Sequence, residues 1–385
     1  MQGDLTEDLV GQDHAPAVRP KRHHRGGRLV ASGLEPENKH ELRLILTGDG
    51  VRALAQPDLG AYNASGPREA KRPLERALPE TRSFVLGTRG SPLAMAQAKE
   101  TQARLATALD IDPDNIVLRP FTTTGDAIQD RALAEAGGKG LFTKELDAAL
   151  LDGTIDLAVH SAKDLPTFLP DGLVIAGYLP REDVRDVLIS RLADTLEGLP
   201  AGTIVGTASP RRQALVLRAR PDLKVGLLRG NVGTRLRKLN EGEAGATLLA
   251  LAGLKRLGLE SHATRIFSVD EMLPAVGQGA IAITTRTEDS AMRDAVGQIN
   301  HRDTEAALTL ERAFLAVLDG SCRTPIAGHA RLERGEIRFR GIVLRPDGRE
   351  VVEVETGGTA GDAERLGRES GHDIKGRMPV GMLQA

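Results

Sequence analysis

Basic and hydroxyl side chains recur just beyond the ends of predicted strands, and this combination suits the binding of an anion. The strands are predicted over 83–88, 155–160, 203–206 and 223–228. The polar residues that follow them are, in chain order, Arg89, Ser91, Lys163, Asp164, Thr207, Ser209, Arg211, Arg212, Arg229 and Arg235. Because ligands of open α/β sheets lie beyond the carboxyl ends of the strands, we expect these side chains to share one site.

The expected ligand carries several negative groups. Two of the clusters open predicted helices, whose first N–H groups and positive dipole end attract anions. Arginine adds a planar fork of donors that matches a carboxylate or a phosphate. The glycine-rich runs lack the spacing of a phosphate-binding loop that ends in Gly-Lys-Ser/Thr, and no G-x-G-x-x-G follows a strand. Several carboxylates therefore suit the pattern better than a nucleotide does.

Asp164 is the best candidate for a carboxylate that takes part in chemistry. It lies beside Lys163 in a loop between a predicted strand and Pro166. The alternative is a helix cap or a surface ion pair. His160 is interpreted as a structural histidine rather than a base, and no cluster of histidine, cysteine and acidic residues has metal-ligand spacing.

Cys322 is the only cysteine of the 385 residues, so an internal disulfide is excluded. Its neighbours Gly320, Ser321 and Pro325 are turn formers, which predicts a loop. Arg323 would help to hold the thiolate, which is the reactive form of sulfur. From these residues alone, an inert structural cysteine and a nucleophile remain equally good interpretations.

Composition excludes several classes of function. The net charge of -2 gives no electrostatic signature of a nucleic-acid or membrane protein. No apolar run is long enough to span a bilayer. The first thirty residues mix acidic residues with the basic run 21–25 and contain no apolar stretch, which argues against a signal or transit peptide. We therefore expect a cytoplasmic protein that acts on a small molecule.

The order of the predicted elements indicates an α/β protein of several domains. Strands and helices alternate in two blocks of similar size, and residues 303–354 predict a helix followed by an antiparallel meander. The segment 280–283 is predicted to return to the first block as a strand. The expected division is a disordered extension over 1–82, domain 1 over 83–180 plus 277–300, domain 2 over 181–276, and a small α+β domain 3 over 301–385.

Seven stretches in the same order resemble the hydroxymethylbilane synthase family, also called porphobilinogen deaminases. They are GTRGSPLA (87–94), GGKGLFTKE (137–145), AVHSAKDLP (158–166), GTASPRRQ (206–213), LRGNVGTR (228–235), AGLKRLG (252–258) and LPAVGQGA (273–280). The similarity runs from residue 83 to about residue 371. It implies two similar domains like those of periplasmic binding proteins, with mixed, mainly parallel sheets, and a third domain with an antiparallel sheet.

The resemblance also implies a reaction and roles for individual residues. The family condenses porphobilinogen units, with loss of ammonia, onto a dipyrromethane primer and then releases hydroxymethylbilane for tetrapyrrole synthesis. The primer would be held covalently by Cys322, Asp164 would be the catalytic aspartate and Lys163 would contact the cofactor. Substrate and cofactor carboxylates would be bound by Arg89, Ser91, Thr207, Ser209, Arg211, Arg212, Arg229, Arg235 and Arg256. A lid loop over 122–140 and beyond would include Gly125, Asp126, Lys139 and Phe142.

Two other functions remain open at the level of the sequence. Because the two domains resemble periplasmic binding proteins, a solute-binding protein is the alternative from a different class. The absence of a recognisable signal peptide and the cysteine loop argue against it. An inactive homologue is the other alternative, although every expected chemical residue is present. As an enzyme, the chain is expected to be a monomer that binds neither nucleic acid nor membrane.

Overall fold

The computed structural model describes residues 83–127, 140–318 and 324–382. The predictions for residues 1–82, Lys139 and Cys322 fall outside these ranges. Within them, no helix combines the length and the apolar composition that crossing a membrane requires.

The elements are numbered along the chain. The strands are β1 Phe84–Arg89, β2 Ile116–Phe121, β3 Leu157–Ser161, β4 Leu173–Tyr178, β5 Asp186–Ser190, β6 Ile204–Gly206, β7 Lys224–Gly226, β8 Ala246–Ala250, β9 Arg265–Ile266, β10 Ile281–Arg286, β11 Ile326–Glu333, β12 Glu336–Leu344 and β13 Val351–Thr359. The α-helices are α1 Pro92–Leu109, α2 Thr124–Ala127, α3 Lys144–Leu151, α4 Pro210–Ala219, α5 Val232–Asn240, α6 Leu251–Leu257, α7 Ser290–Gly297, α8 Arg302–Val317 and α9 Ala363–Arg377.

Two five-stranded sheets within the described residues share one topology. The first has the order β2-β1-β3-β10-β4 and the second the order β7-β6-β8-β5-β9. In each, the first three strands are parallel and the fourth runs antiparallel to both of its neighbours. Four of the five strands therefore point the same way, which confirms the mixed, mainly parallel sheets expected from the sequence.

The chain crosses between the two sheets twice. It leaves the first sheet after β4 and enters the second at β5, and it returns after β9 to form β10. The predicted return of 280–283 is therefore confirmed. Ile281, Ala282 and Ile283 are fully buried, because this strand lies inside its sheet with neighbours on both edges. The connecting segments, 179–185 and 267–280, lie side by side: the Glu182 N–H donates to the Gly279 carbonyl.

The last described part of the chain forms the predicted antiparallel meander. β11, β12 and β13 pair in sequence, and α8 and α9 pack on the sheet. Phe314 on α8 meets Phe339 on β12 edge to face, with ring centroids 5.0 Å apart. The end of α8 and the start of β11 bracket the loop that carries Cys322.

Local capping explains where the helices near the strand ends begin. Ser91 accepts from the N–H of Ala94, and Ser209 accepts from the N–H of Arg212. Proline follows both serines as the first helical residue, where its missing N–H costs nothing. Asn231 caps α5 in the same way. α5 begins at Val232, directly after this cap, and the strand predicted over 223–228 extends only over Lys224–Gly226.

Candidate active site

One cavity of about 560 Å³ opens beyond the carboxyl ends of β1, β3, β6 and β8. Residues after the strands of both five-stranded sheets line it, and the antiparallel domain adds Leu315, Thr324 and Ile326. Its volume falls within the range of small-molecule sites. The shared edge of the parallel strands therefore brings together segments that lie far apart in the sequence.

Most of the predicted site residues meet in this cavity. Those that line it are Arg89, Ser91, Gly125, Asp126, Phe142, Lys163, Asp164, Ser209, Arg211, Arg212, Arg229 and Arg235. Thr207 is buried beside the site and accepts from the N–H of Ser209. Arg256 does not line the cavity: it lies near Glu100, with 3.5 Å between Nε and Oε2, and donates to the Gly279 carbonyl.

Arg89 lies at the centre of the first half of the site. Its guanidinium forms a two-point contact with Asp126, and Nη1 lies 3.4 Å from Oδ2 of Asp164. The guanidinium carbon also stands 4.3 Å from the ring centroid of Phe142, which is a cation–π geometry. Arg89 thus ties the candidate catalytic carboxylate to both described ends of the predicted lid.

The second half of the site contains a buried ion-pair cluster. Arg211 and Arg212 each donate through Nη2 to one oxygen of Asp186 at 2.7 Å, and their Nη1 atoms donate to the carbonyls of Leu273 and Leu248. The two guanidiniums hold the pKa of Asp186 far below its usual range in spite of its complete burial. The Nε atoms of both arginines are buried and have no acceptor among the described residues.

The cavity carries a surplus of positive charge. Of the described residues that line it, Arg89, Lys163, Arg211, Arg212, Arg229 and Arg235 are basic, whereas Asp126 and Asp164 are acidic. Burial, followed by the charge of Arg212, lowers the pKa of Lys163 to about 8 and that of Arg235 to about 10. These shifts record the cost of burying a cation and, to a smaller extent, of placing it near Arg212. A ligand with several carboxylates would relieve it.

His160 lies in the cavity wall, but its environment excludes it as a general base with an ordinary pKa. Its Nε2 lies 3.1 Å from the hydroxyl of Thr284. Burial, helped by the charge of Arg89, lowers the pKa of His160 to about 4. The ring is therefore neutral in the folded protein at neutral pH, as expected of a structural histidine.

This burial predicts a loss of stability in acid. Between pH 6.5 and pH 4, the unfolded chain protonates His160 whereas the folded protein does not, so stability falls as the pH falls. At pH 5 the cost from this site is about 2 kcal/mol. Between pH 7 and pH 5, the free energy of unfolding should therefore fall by about 2 kcal/mol less in His160→Asn than in the unmodified protein. Urea unfolding followed by circular dichroism at both pH values measures this difference. Equal losses in the two proteins would contradict the assignment.

Two further polar residues line the cavity, although the sequence alone did not indicate them. Gln278 lines the cavity from inside the stretch LPAVGQGA, where the sequence alone assigned it no role. Asn231, which caps α5, also lines it. A polar residue between two glycines, and a good cap directly after a strand, are the signals that would have singled them out.

Comparison with known proteins identifies the family of this site. The family model described as "Porphobilinogen deaminase, dipyromethane cofactor binding domain" matches residues 84–294, and the model of the porphobilinogen deaminase C-terminal domain matches residues 306–376. This chain belongs to the porphobilinogen deaminase family. The predicted family is thereby confirmed, and with it the hydroxymethylbilane synthase activity, the transferase class and the dipyrromethane cofactor.

Individual relatives agree with this membership. The porphobilinogen deaminase of Nitrobacter winogradskyi is 59% identical over 293 residues, which cover 76% of this chain and 93% of the relative. The chloroplastic porphobilinogen deaminase of Oryza sativa subsp. japonica is 52% identical over 305 residues, or 78% of this chain and 85% of the relative. A solved structure from Bacillus subtilis, described as a "putative methionine-binding lipoprotein", matches 57% of this chain and 90% of its own chain. The sequence identity is 14% and the TM-score is 0.36.

Proposed function

We propose that the hydroxymethylbilane synthase reaction takes place in this cavity, with Asp164 as its catalytic carboxylate and Cys322 as the attachment point of dipyrromethane. The observation that carries the proposal is the charge pattern. A surplus of buried cations surrounds the cavity, and the carboxylate of Asp164 stands among them with 29% of its side chain exposed. Such a site attracts an anionic ligand and keeps one negative group beside it.

The residues present fit the cofactor. Each of the two pyrrole rings of dipyrromethane bears an acetate and a propionate, so several cations are needed to hold it. Arg211 and Arg212 line the cavity and would supply positive charge to the carboxylates. Ser91 and Ser209 accept a backbone N–H as helix caps, which leaves each hydroxyl hydrogen to donate. Together with Lys163, these groups would hold the carboxylates.

Chain connectivity supports Cys322 as the attachment point. Thr324, which lines the cavity, follows Cys322 by two residues. Two peptide units span at most about 7 Å. The thiol would therefore reach a ligand seated between the two sheets.

The bound cofactor would supply the free pyrrole carbon to which the first porphobilinogen is joined. Asp164 would act on the incoming substrate. When the C–N bond of its aminomethyl group breaks, ammonia takes the electron pair and the ring becomes electron-poor. A fixed carboxylate facing the pyrrole N–H stabilises this positive charge as it develops. Arg89, which contacts Asp164, would hold the carboxylate in place and bind a substrate side chain.

The described ends of the predicted lid support a role in closing the site. Gly125 donates its N–H to the Leu141 carbonyl and accepts a 3.4 Å hydrogen bond from Nη2 of Arg229. Phe142 covers the guanidinium of Arg89. Segments 124–127 and 140–143 thus lie over the cationic wall, where they would exclude water from a reactive intermediate.

We further propose the domain division given above, because each five-stranded sheet draws its strands from one predicted domain. The first sheet uses strands within 83–180 and 277–300, and the second uses strands within 181–276.

We also propose that the protein is a monomer in the cytoplasm and binds neither nucleic acid nor membrane. This proposal rests on the net charge of -2, which gives no electrostatic signature of nucleic-acid or membrane binding.

The activity itself can be measured directly. Purified protein incubated with porphobilinogen should release ammonia and a linear tetrapyrrole that cyclises to uroporphyrinogen I, detected by its absorbance after oxidation. Binding of porphobilinogen without ammonia release would instead indicate a solute-binding protein or an inactive homologue. Heat-treated protein is the control for non-enzymatic condensation.

A further inference from the structure

Gln278 is held in one orientation by its partners. It belongs to the connecting segment 267–280, and its side chain is fully buried. The Nε2 group donates one hydrogen to the Val184 carbonyl at 2.7 Å and the other to Oδ1 of Asp186 at 2.8 Å. Both amide hydrogens are therefore used by acceptors, which leaves the Oε1 atom to accept from Nζ of Lys163 at 3.3 Å.

The backbone around Gln278 is equally constrained. Gly277 and Gly279 on either side have φ angles of +74° and +86°. A Cβ atom at Gly279 would lie 2.4 Å from the carbonyl oxygen of Glu182, and one at Gly277 would lie 3.0 Å from the backbone nitrogen of Lys163. Glycine is thus required on both sides of Gln278, and the segment is pressed against the loop that carries Lys163.

Asp186 continues the connection into the second sheet. Its carboxylate is fully buried and accepts from Arg211, Arg212 and Gln278. Hydrogen bonds therefore run without interruption from Lys163, beyond β3 of the first sheet, through Gln278 and Asp186 to two arginines on α4. The same hydrogen bonds occupy the Nη2 atoms of both arginines, whose Nε atoms are buried without an acceptor among the described residues.

We infer that Gln278 and Asp186 are positioning residues, which join Lys163 to Arg211 and Arg212 so that the three cations face the ligand's carboxylates as one array. The inference rests on the proposed function in one respect, namely that these cations bind carboxylates of the cofactor or the growing chain. It adds that their arrangement is set by two residues that are not themselves cations. Asp186 fixes the positions of the two arginines, and Gln278 holds the ammonium of Lys163 by a hydrogen bond at a fixed position relative to them.

The pH profile of kcat/KM for Gln278→Met tests this. The charged groups that face Lys163 are Asp164, Asp186, Arg211 and Arg212. Loss of the Oε1 acceptor removes a hydrogen bond that favours the charged ammonium. We expect the alkaline limb of the profile to move to lower pH by about one unit, and kcat/KM at pH 8 to fall about fivefold with a smaller loss at pH 6.5. Intact mass should still show the bound cofactor.

Two further variants make the result specific. Lys163→Arg stays charged throughout, so its profile should lack this limb; a limb that persists there would overturn the assignment to Lys163. Gln102→Met is the matched control, because the Nε2 group of Gln102 likewise donates two hydrogen bonds, here to the carbonyls of Pro113 and Ile116, but Gln102 does not line the cavity. It should lower the melting temperature and leave the position of the limb unchanged.

A uniform loss of activity in Gln278→Met, with the limb in its original place, would show a merely structural role and refute the inference. If this variant does not accumulate as folded protein, Gln278→Asn carries the same test, since the shorter amide cannot reach Asp186 and Lys163 together. Failure of the proposed function is a separate outcome, because it would appear as absent turnover in the unmodified protein.

Discussion

Replacing Asp164 by asparagine should lower kcat about 10³-fold and change KM by no more than about threefold. The reason is that its partner charge develops only when ammonia leaves the substrate, so the carboxylate stabilises the transition state far more than the bound substrate. Asparagine keeps the size of the side chain and loses its charge. The contact with Nη1 of Arg89, at 3.4 Å, is weakened but not replaced by a cavity.

Steady-state kinetics of ammonia release, combined with a rapid-mixing measurement of the first addition, would separate chemistry from binding. Asp126→Asn is the matched control, because Asp126 is the other carboxylate on Arg89 and also lines the cavity. Its removal frees Arg89 without removing the charge beside the reacting ring, so we expect a larger effect on KM than on kcat. An Asp164 variant that loses affinity and turnover by the same factor would contradict the catalytic role.

The features that could be predicted from the sequence are those with local signals. Ser91-Pro92 and Ser209-Pro210 carry the cap and first-turn residues of their helices, and both helices begin there. The glycine turns at 334–335 and 346–348 separate alternating strands, and the meander is present. The shared strand edge followed from the alternation of strands and helices. The caps and the turns are encoded within a few residues, and the alternation of elements is visible along the chain, so a single sequence is enough to predict them.

The pairing of charges inside the site could not be predicted, because it joins residues that lie far apart in the chain. The sequence presents Arg211 as a cation available to a ligand, yet Asp186, twenty-five residues earlier on β5, occupies its Nη2 group. Arg256 falls within a family-like stretch, but α6 directs it to Glu100 on α1 and away from the cavity. Residue types identify which charges are present. Only the fold determines which of them neutralise each other.

The largest expected effect concerns Cys322, which lies outside the described residues. The sequence alone left this cysteine equally well explained as inert or as nucleophilic. Family membership supplies a dipyrromethane cofactor, and Thr324, two residues after Cys322, lines the cavity. In the proposed attachment, a C–S bond would form to the methylene carbon of a porphobilinogen unit as its C–N bond breaks and ammonia leaves. The thiolate is the form of the side chain that makes this bond.

We therefore expect Cys322→Ser to carry no two-ring adduct and to lose turnover completely, since a serine hydroxyl does not ionise at neutral pH and is a poor nucleophile without a base to activate it. The variant should fold, because the described cavity wall is built without this side chain. Intact mass after incubation with porphobilinogen, together with the melting temperature, checks both points.

Ser321→Ala is the control, because it changes the residue next to Cys322 and keeps the thiol; it should retain the adduct. A serine variant that still carried the adduct would show that the anchor lies elsewhere. An unmodified thiol in the active protein would show that the primer is not covalent. Either result would leave the cationic array intact but would remove the reason for placing Cys322 beside it.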